Sequence, residues 1–119
     1  MLDPLEITSH RGPYRVRFEP RPFAGLEGGL ADTAHLIVDD RVARVHADRL
    51  GAALKARSGL RVEATEAAKS LEAFPAYALH LIERGVRRDH ELVAVGGGIV
   101  QDITAFLAAT LLRGMRWRF

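Results

Sequence analysis

The sequence contains no cysteine, little lysine and few aromatic residues. Without cysteine there is no disulfide framework, no thiolate nucleophile and no thiolate metal ligand. No apolar run is long enough to cross a bilayer, and the first four residues lack the charged and apolar regions of a signal peptide. We therefore expect a cytoplasmic protein that has no membrane partner.

An excess of charge of one sign is also lacking. The formal net charge is only +2, from 17 basic and 15 acidic residues, which gives no argument for a nucleic-acid partner. With 48% hydrophobic residues over 119 positions, the composition is that of one globular domain. The five histidines have no metal-ligand spacing such as HxxxH, so we predict no metal site in this chain.

The most informative segment is 92–114, which reads LVAVGGGIVQDITAFLAATLLRG. The apolar run 92–95 predicts a strand buried on both faces, and 100–112 predicts a helix. Between them, Gly96, Gly97 and Gly98 let a ligand touch the backbone, where the helix amino end attracts an anion. The spacing differs from the GxGxxG dinucleotide fingerprint. A tight turn that binds no ligand is the alternative interpretation.

The rest of the chain alternates strands and helices. This order predicts an α/β fold: a Rossmann-like parallel sheet with flanking helices, preceded by an N-terminal β-hairpin. Further strands are predicted at 5–9, 14–19, 35–38, 60–64 and 115–119, a short irregular helix at 23–30, and helices at 42–56 and from Ser70 or near Phe74 to Arg84.

Three sequence blocks carry a family resemblance. GGGIVQDITAFLAATLLRG resembles the GGG-x-x-x-D-x-x-x-F-x-A-A-x-x-x-RG segment of 3-dehydroquinate synthase and the related sugar phosphate cyclases. Residues 66–72, EAAKSLE, resemble the family's E-x-x-K-S-L-E, and residues 36–39, LIVD, resemble the strand that ends in its D-x-N. Together the blocks extend from residue 36 to the end of the chain.

The resemblance implies an NAD site at the carboxyl ends of the strands. Such a site suits the residue types, because a carboxylate accepts hydrogen bonds from ribose hydroxyls and an arginine fork fits an anion. No catalytic residue is implied in this segment. The implied contacts are Gly97 and Gly98 with the pyrophosphate, Asp102 with the nicotinamide end, Asp39, Glu66 and Lys69 with the adenosine, and Arg113 with an anionic sugar phosphate substrate.

The resemblance also implies the properties of a full-length enzyme. Residues 1–119 would be a single NAD-binding N-terminal domain, and the family's metal-binding helical domain would lie outside this chain. The family oxidises a hydroxyl with NAD, eliminates phosphate, reduces the carbonyl again and closes the ring by an aldol step, with a divalent metal, zinc or cobalt. A homodimer is expected at full length, and this segment alone is expected to be inactive.

Several alternatives stay open at this point. Asp39 is also typical of a helix N-cap, Glu66 and Lys69 of an ordinary i, i+3 ion pair, and Arg113 of a cation at a helix C-terminus. Arg41 stands where the family has its D-x-N asparagine, which favours a divergent branch of the cyclases. A metal-dependent polyol dehydrogenase and a non-catalytic nucleotide-binding module are the two other candidate functions.

Overall fold

The structure is a computed structural model that describes residues 2–56 and 58–119. Its described residues form six strands and four helices in the predicted alternating order. The strands are β1 (Leu5–Ser9), β2 (Gly12–Val16), β3 (Ala34–Asp39), β4 (Leu60–Val62), β5 (Glu91–Val95) and β6 (Arg116–Arg118), and the helices are α1 (Asp40–Val45), α2 (Ala47–Leu54), α3 (Phe74–Glu83) and α4 (Gly98–Thr110).

The strands form two separate sheets. Strands β1 and β2 pair as an antiparallel hairpin, with Ile7 opposite Tyr14. The other four strands form a sheet in the order β4-β3-β5-β6, and every neighbouring pair is parallel. The predicted fold class, a Rossmann-like parallel sheet after an N-terminal hairpin, is therefore confirmed.

The two central strands are buried on both faces, as their continuous apolar sequences predict. Along β3, side chains alternate between two apolar clusters on opposite faces of the sheet. Helices α1 and α2 cover one face through Ala43, Leu50 and Ala53, whereas α3 and α4 cover the other. On that second face the fully buried side chains include Ile37, Leu81, Leu92, Val100 and Ile103.

This arrangement creates a crevice at the carboxyl end of the sheet. The chain leaves β3 toward one face, through α1 and α2, and leaves β5 toward the other face, through α4. Adjacent strands whose following helices diverge form a topological switch point, which is where open α/β sheets bind ligands. The crevice between the ends of β3 and β5 is therefore the candidate site.

The predicted helix 42–56 is wrong as a single element. The structure has two helices that meet at His46, whose φ of −111° and ψ of 28° are not helical. The apolar spacing already changes there, because Val45 and Leu50 are five residues apart and one helix cannot keep both on the same face. Accordingly Leu50 is fully buried, whereas Val45 is 65% exposed.

Two further predictions concern the segments 23–30 and 70–84. The helix predicted at 23–30 is wrong, because residues 22–28 form hydrogen-bonded turns; Leu26 is buried in the core, and Phe23 and Leu30 pack against the same cluster. The helix after Ser70 begins at Phe74, the later of the two predicted starts, because Pro75 fits only the first turn, where its missing N–H is not needed.

A histidine pair, His35 and His90, lies at the amino end of the sheet, opposite the crevice; His35 is buried and His90 half-buried. His35 is 2% exposed, and its Nε2 lies 2.8 Å from Nδ1 of His90, with the rings stacked. The backbone N–H of Arg87 also donates to Nδ1 of His90, so this nitrogen accepts and Nε2 of His35 donates. Nδ1 of His35 is then a buried acceptor without a partner among the described residues. Burial, and secondarily the charge of His90, lowers the pKa of His35.

Candidate functional site

The end of β3 and the turn after β5 meet at the crevice. A Cβ atom placed on Gly96 would lie 3.1 Å from Cβ of Asp39 and 3.0 Å from Cγ2 of Val100. Real Cβ atoms rarely tolerate such distances, and Gly96 also has a φ of 156°. The first glycine is therefore needed by the fold itself, because it lets the end of β3 and the first turn of α4 lie close to the turn between them.

The other two glycines are not needed by the fold. Gly97, with a φ of −87° and a ψ of −162°, has a backbone conformation open to any residue, and a Cβ on Gly97 or Gly98 would meet nothing within 4 Å. Gly98 is the first residue of α4, so the turn joins the carboxyl end of a buried strand to a helix, as predicted. The backbone of Gly97 and Gly98 faces open space at the amino end of this 13-residue helix.

A 3₁₀ turn over Glu66–Lys69 forms the next wall of the crevice. Oγ1 of Thr65 accepts a hydrogen bond from the N–H of Ala68, and the hydroxyl of Tyr77 donates to the carbonyl of Ala68. Burial raises the pKa of Tyr77. The sequence analysis missed both positioning residues; Thr65 carried a signal, since threonine is a preferred cap.

Lys69 connects this turn to helix α4. Its Nζ lies 2.9 Å from Oδ2 of Asp102, in the second turn of α4, and 3.8 Å from Oε2 of Glu66. The hydrogen bond and the charge of Asp102, followed by the charge of Glu66, raise the pKa of Lys69. The Glu66–Lys69 ion pair considered in the sequence analysis is thus present, but the shorter contact is with Asp102, a residue 33 positions away that the sequence did not connect to Lys69.

Acidic and basic side chains alternate at the end of β3. Asp39 is the N-cap of α1, because its Oδ1 accepts a hydrogen bond of 2.8 Å from the N–H of Arg41. This confirms the capping interpretation of Asp39, and among the described residues no donor contacts its Oδ2. The next carboxylate, Asp40, pairs with Arg44 at 3.2 Å and with Arg61 of β4 at 3.4 Å. Only tertiary structure brings Arg61 here, and the sequence analysis did not single it out.

Arg113 is the one predicted site residue that lies elsewhere. It belongs to a 3₁₀ turn after α4, where Leu112 and Arg113 both have positive φ, and it precedes β6 at the amino end of the sheet. Since α4 has 13 residues, its length of about 20 Å separates Arg113 from the glycine turn. The structure therefore brings together six of the seven predicted residues: Asp39, Glu66, Lys69, Gly97, Gly98 and Asp102.

The described residues contain neither a metal-binding cluster nor a membrane-spanning helix. In residues 2–56 and 58–119, no group of three or more histidine, aspartate or glutamate side chains is arranged to hold a metal ion. Across the same ranges, no helix has the length and apolarity that a membrane span requires.

Known proteins match this chain along most of its length. The family model described as 3-dehydroquinate synthase N-terminal matches residues 59–118. The 3-dehydroquinate synthase of Cereibacter sphaeroides is 32% identical over 125 residues, and that of Bordetella pertussis is 32% identical over 124 residues. Each alignment covers 98% of this chain and 34% of the relative, so the chain spans about a third of the length of these relatives.

Solved structures share the fold. A 2-deoxy-scyllo-inosose synthase complexed with carbaglucose-6-phosphate, NAD⁺ and Co²⁺ superposes with a TM-score of 0.71 at 20% identity, over 97% of this chain and 34% of that one. A 2-epi-5-epi-valiolone synthase from Streptomyces hygroscopicus, with NAD⁺ and Zn²⁺ bound, gives a TM-score of 0.63 at 24% identity, over 83% of this chain and 29% of that one. These structures agree on the fold, and the matching family model and relatives together establish that the chain belongs to the 3-dehydroquinate synthase family.

Proposed function

We propose that residues 1–119 form the NAD-binding domain of a cytoplasmic sugar phosphate cyclase similar to 3-dehydroquinate synthase. In the intact enzyme this domain would be followed by a helical domain that holds a divalent metal, zinc or cobalt. The relatives, about three times as long as this chain, leave room for such a domain. The cyclase structures of the same fold, which contain NAD⁺ with Co²⁺ or Zn²⁺, support the choice of cofactors.

The observation that carries this proposal is the open space over Gly97 and Gly98. A turn that bound no ligand would need glycine only at Gly96, where neighbouring atoms exclude a side chain. Two further glycines without steric or conformational need are accounted for by a ligand that contacts the backbone. A pyrophosphate fits, because the amino end of α4 presents free N–H groups and a positive dipole.

The other crevice residues fit the remaining parts of NAD. Oδ2 of Asp39 is free to accept a hydrogen bond from a ribose hydroxyl, and Glu66, whose side chain is 84% exposed, can do the same from the opposite wall. Lys69 supplies a compact positive charge, and Asp102 lies one helical turn after Gly98, toward the nicotinamide end. Binding would require Lys69 and Asp102 to exchange their mutual ion pair for ligand contacts. That exchange costs little, because exposed ion pairs contribute weakly to stability.

When bound, NAD would supply redox chemistry, because it can accept a hydride and return that hydride later in the catalytic cycle. The residues of this chain bind and orient it: the glycines fix the pyrophosphate, Asp39 and Glu66 fix the ribose, and Asp102 limits the position of the nicotinamide end. Since these residues are assigned only to holding NAD, phosphate elimination and ring closure would depend on other residues of the intact enzyme.

We further propose that the intact enzyme is a homodimer in which Arg113 faces an anionic sugar phosphate. Arg113 and the crevice lie at opposite ends of α4 in one chain. An arginine at this position therefore contacts a substrate beside the nicotinamide only if a second copy supplies it. Carbaglucose-6-phosphate in the similar inosose synthase supports a sugar phosphate as the substrate class.

Family membership favours the cyclase over a polyol dehydrogenase. The proposed NAD site is tested by a titration of the chain with NAD, followed by backbone amide NMR shifts, which detect even weak binding. We expect the largest shifts at Gly97, Gly98 and Asp102. Shifts that are absent, or that are largest at the amino end of the sheet, would contradict the proposed site. A non-catalytic nucleotide module would bind NAD equally, but its full-length form would release no phosphate from sugar phosphates.

A further inference from the structure

An unpaired arginine stands at the edge of the crevice. Arg41 is exposed, and its guanidinium has no hydrogen bond or ion pair within the part of the chain that the structure describes. Its neighbours differ, because Arg44 and Arg61 are both held by Asp40. Arg41 thus carries a free planar group with five donors only two residues after Asp39, the proposed ribose acceptor.

The charge at this corner is balanced. The guanidinium groups of Arg41, Arg44 and Arg61 equal in number the carboxylates of Asp39, Asp40 and Glu66, the last of which is the other proposed ribose acceptor. The carboxylate of Asp39 is also partly satisfied, since the N–H of Arg41 already donates to its Oδ1. Asp39 alone would repel a second anion, but its repulsion is offset by the neighbouring cations.

We infer that this site accepts NADP as well as NAD, with Arg41 as the residue that determines this specificity; the inference rests on the proposed function. In dinucleotide sites, a carboxylate after a strand binds the ribose 2′-hydroxyl, whereas a nearby arginine accommodates a 2′-phosphate. This corner has both, in adjacent positions. A 2′-phosphate brings about 1.5 to 2 negative charges at pH 7, and the arginine fork can bind two of its oxygens at once.

The test compares NAD and NADP binding, measured by isothermal titration calorimetry and amide NMR, in the parent chain, in Arg41→Gln and in a matched control. Arg49→Gln is the control, because Arg49 is exposed on α2 and its side chain likewise has no partner among the described residues. For the parent chain, we expect the dissociation constants of NAD and NADP to differ by no more than about tenfold, which corresponds to the contribution of one hydrogen bond. Arg41→Gln should weaken NADP by about 10- to 100-fold, the loss of one charge-assisted hydrogen bond, and leave NAD unchanged.

The other outcomes overturn either this inference alone or the inference together with the proposed function. Binding of NAD without NADP, or equal weakening of both nucleotides in Arg41→Gln, overturns this inference and leaves the proposed function standing. Equal effects of Arg41→Gln and Arg49→Gln would show that net charge alone matters, which also overturns the role of Arg41. If neither nucleotide binds, the inference and the proposed function fail together.

Discussion

Adjacent glycines at the crevice should respond to substitution in opposite ways. In Gly96→Ala the new methyl lies 3.0 to 3.1 Å from atoms of Val100 and Asp39, and the φ of 156° disfavours any side chain. Val100 is fully buried, so the contact cannot relax into solvent. Overpacking of this kind costs about 1 to 3 kcal/mol of unfolding free energy.

In Gly97→Val the side chain enters open space instead. The φ and ψ of Gly97 suit valine, so the lower entropy of the unfolded chain raises the free energy of unfolding by about 0.4 to 1 kcal/mol. Valine is a poorer N-cap than glycine, and this lowers the free energy of unfolding by a similar amount. We therefore expect nearly unchanged stability, together with loss of NAD binding, because the side chain occupies the space that the pyrophosphate requires.

Urea denaturation and calorimetric NAD titration of both variants test this contrast. The expected result is a lower denaturation midpoint for Gly96→Ala and abolished NAD binding with native circular dichroism for Gly97→Val. Unchanged NAD affinity in a natively folded Gly97→Val would refute the reasoning, since the second and third glycines would then have no role in binding.

Three further predictions follow from other contacts. Because the pKa of His35 is lowered, the unfolded chain binds a proton that the folded chain does not, so stability should decrease as pH falls below the ordinary value of 6.5; urea midpoints from pH 8 to 5 measure this, and a profile as steep in His35→Leu would contradict it. In the full-length enzyme, Arg113→Ala should spare NAD and weaken the anionic substrate by about 1.5 to 3 kcal/mol, whereas calorimetry showing both affinities unchanged would remove Arg113 from the site. Purified residues 1–119 should show no cyclase turnover, and phosphate release above a no-protein control would show that the chain is more than a nucleotide-binding domain.

Local sequence was sufficient for the elements that have a strong pattern. The apolar run of β5, the glycine triplet and the helix after it were predicted in the right order, because each follows from side-chain periodicity and backbone freedom within a few residues. The same reasoning failed for the predicted helix 42–56. There the five-residue spacing between Val45 and Leu50 indicates a break in the helix, but the break became clear only from the packing of Leu50 against the sheet.

The predicted site residues came largely from the family resemblance, and their grouping is a tertiary result. Lys69 and Asp102 are 33 positions apart in the sequence, a separation that local periodicity cannot bridge. Their side chains meet at 2.9 Å because the carboxyl ends of parallel strands lie at the same edge of the sheet. The close approach of Gly96 to Asp39 has the same origin.

The sequence by itself therefore determined the family, the order of elements and the residue types available to bind an anion. The tertiary structure decided which glycine the fold requires and which two it leaves open, and it paired Arg44 and Arg61, but not Arg41, with Asp40. It also placed Arg113 at the far end of α4 from the crevice. The physical reason is that steric space and charge pairing depend on side chains from distant segments, and their distances are set only when the sheet assembles.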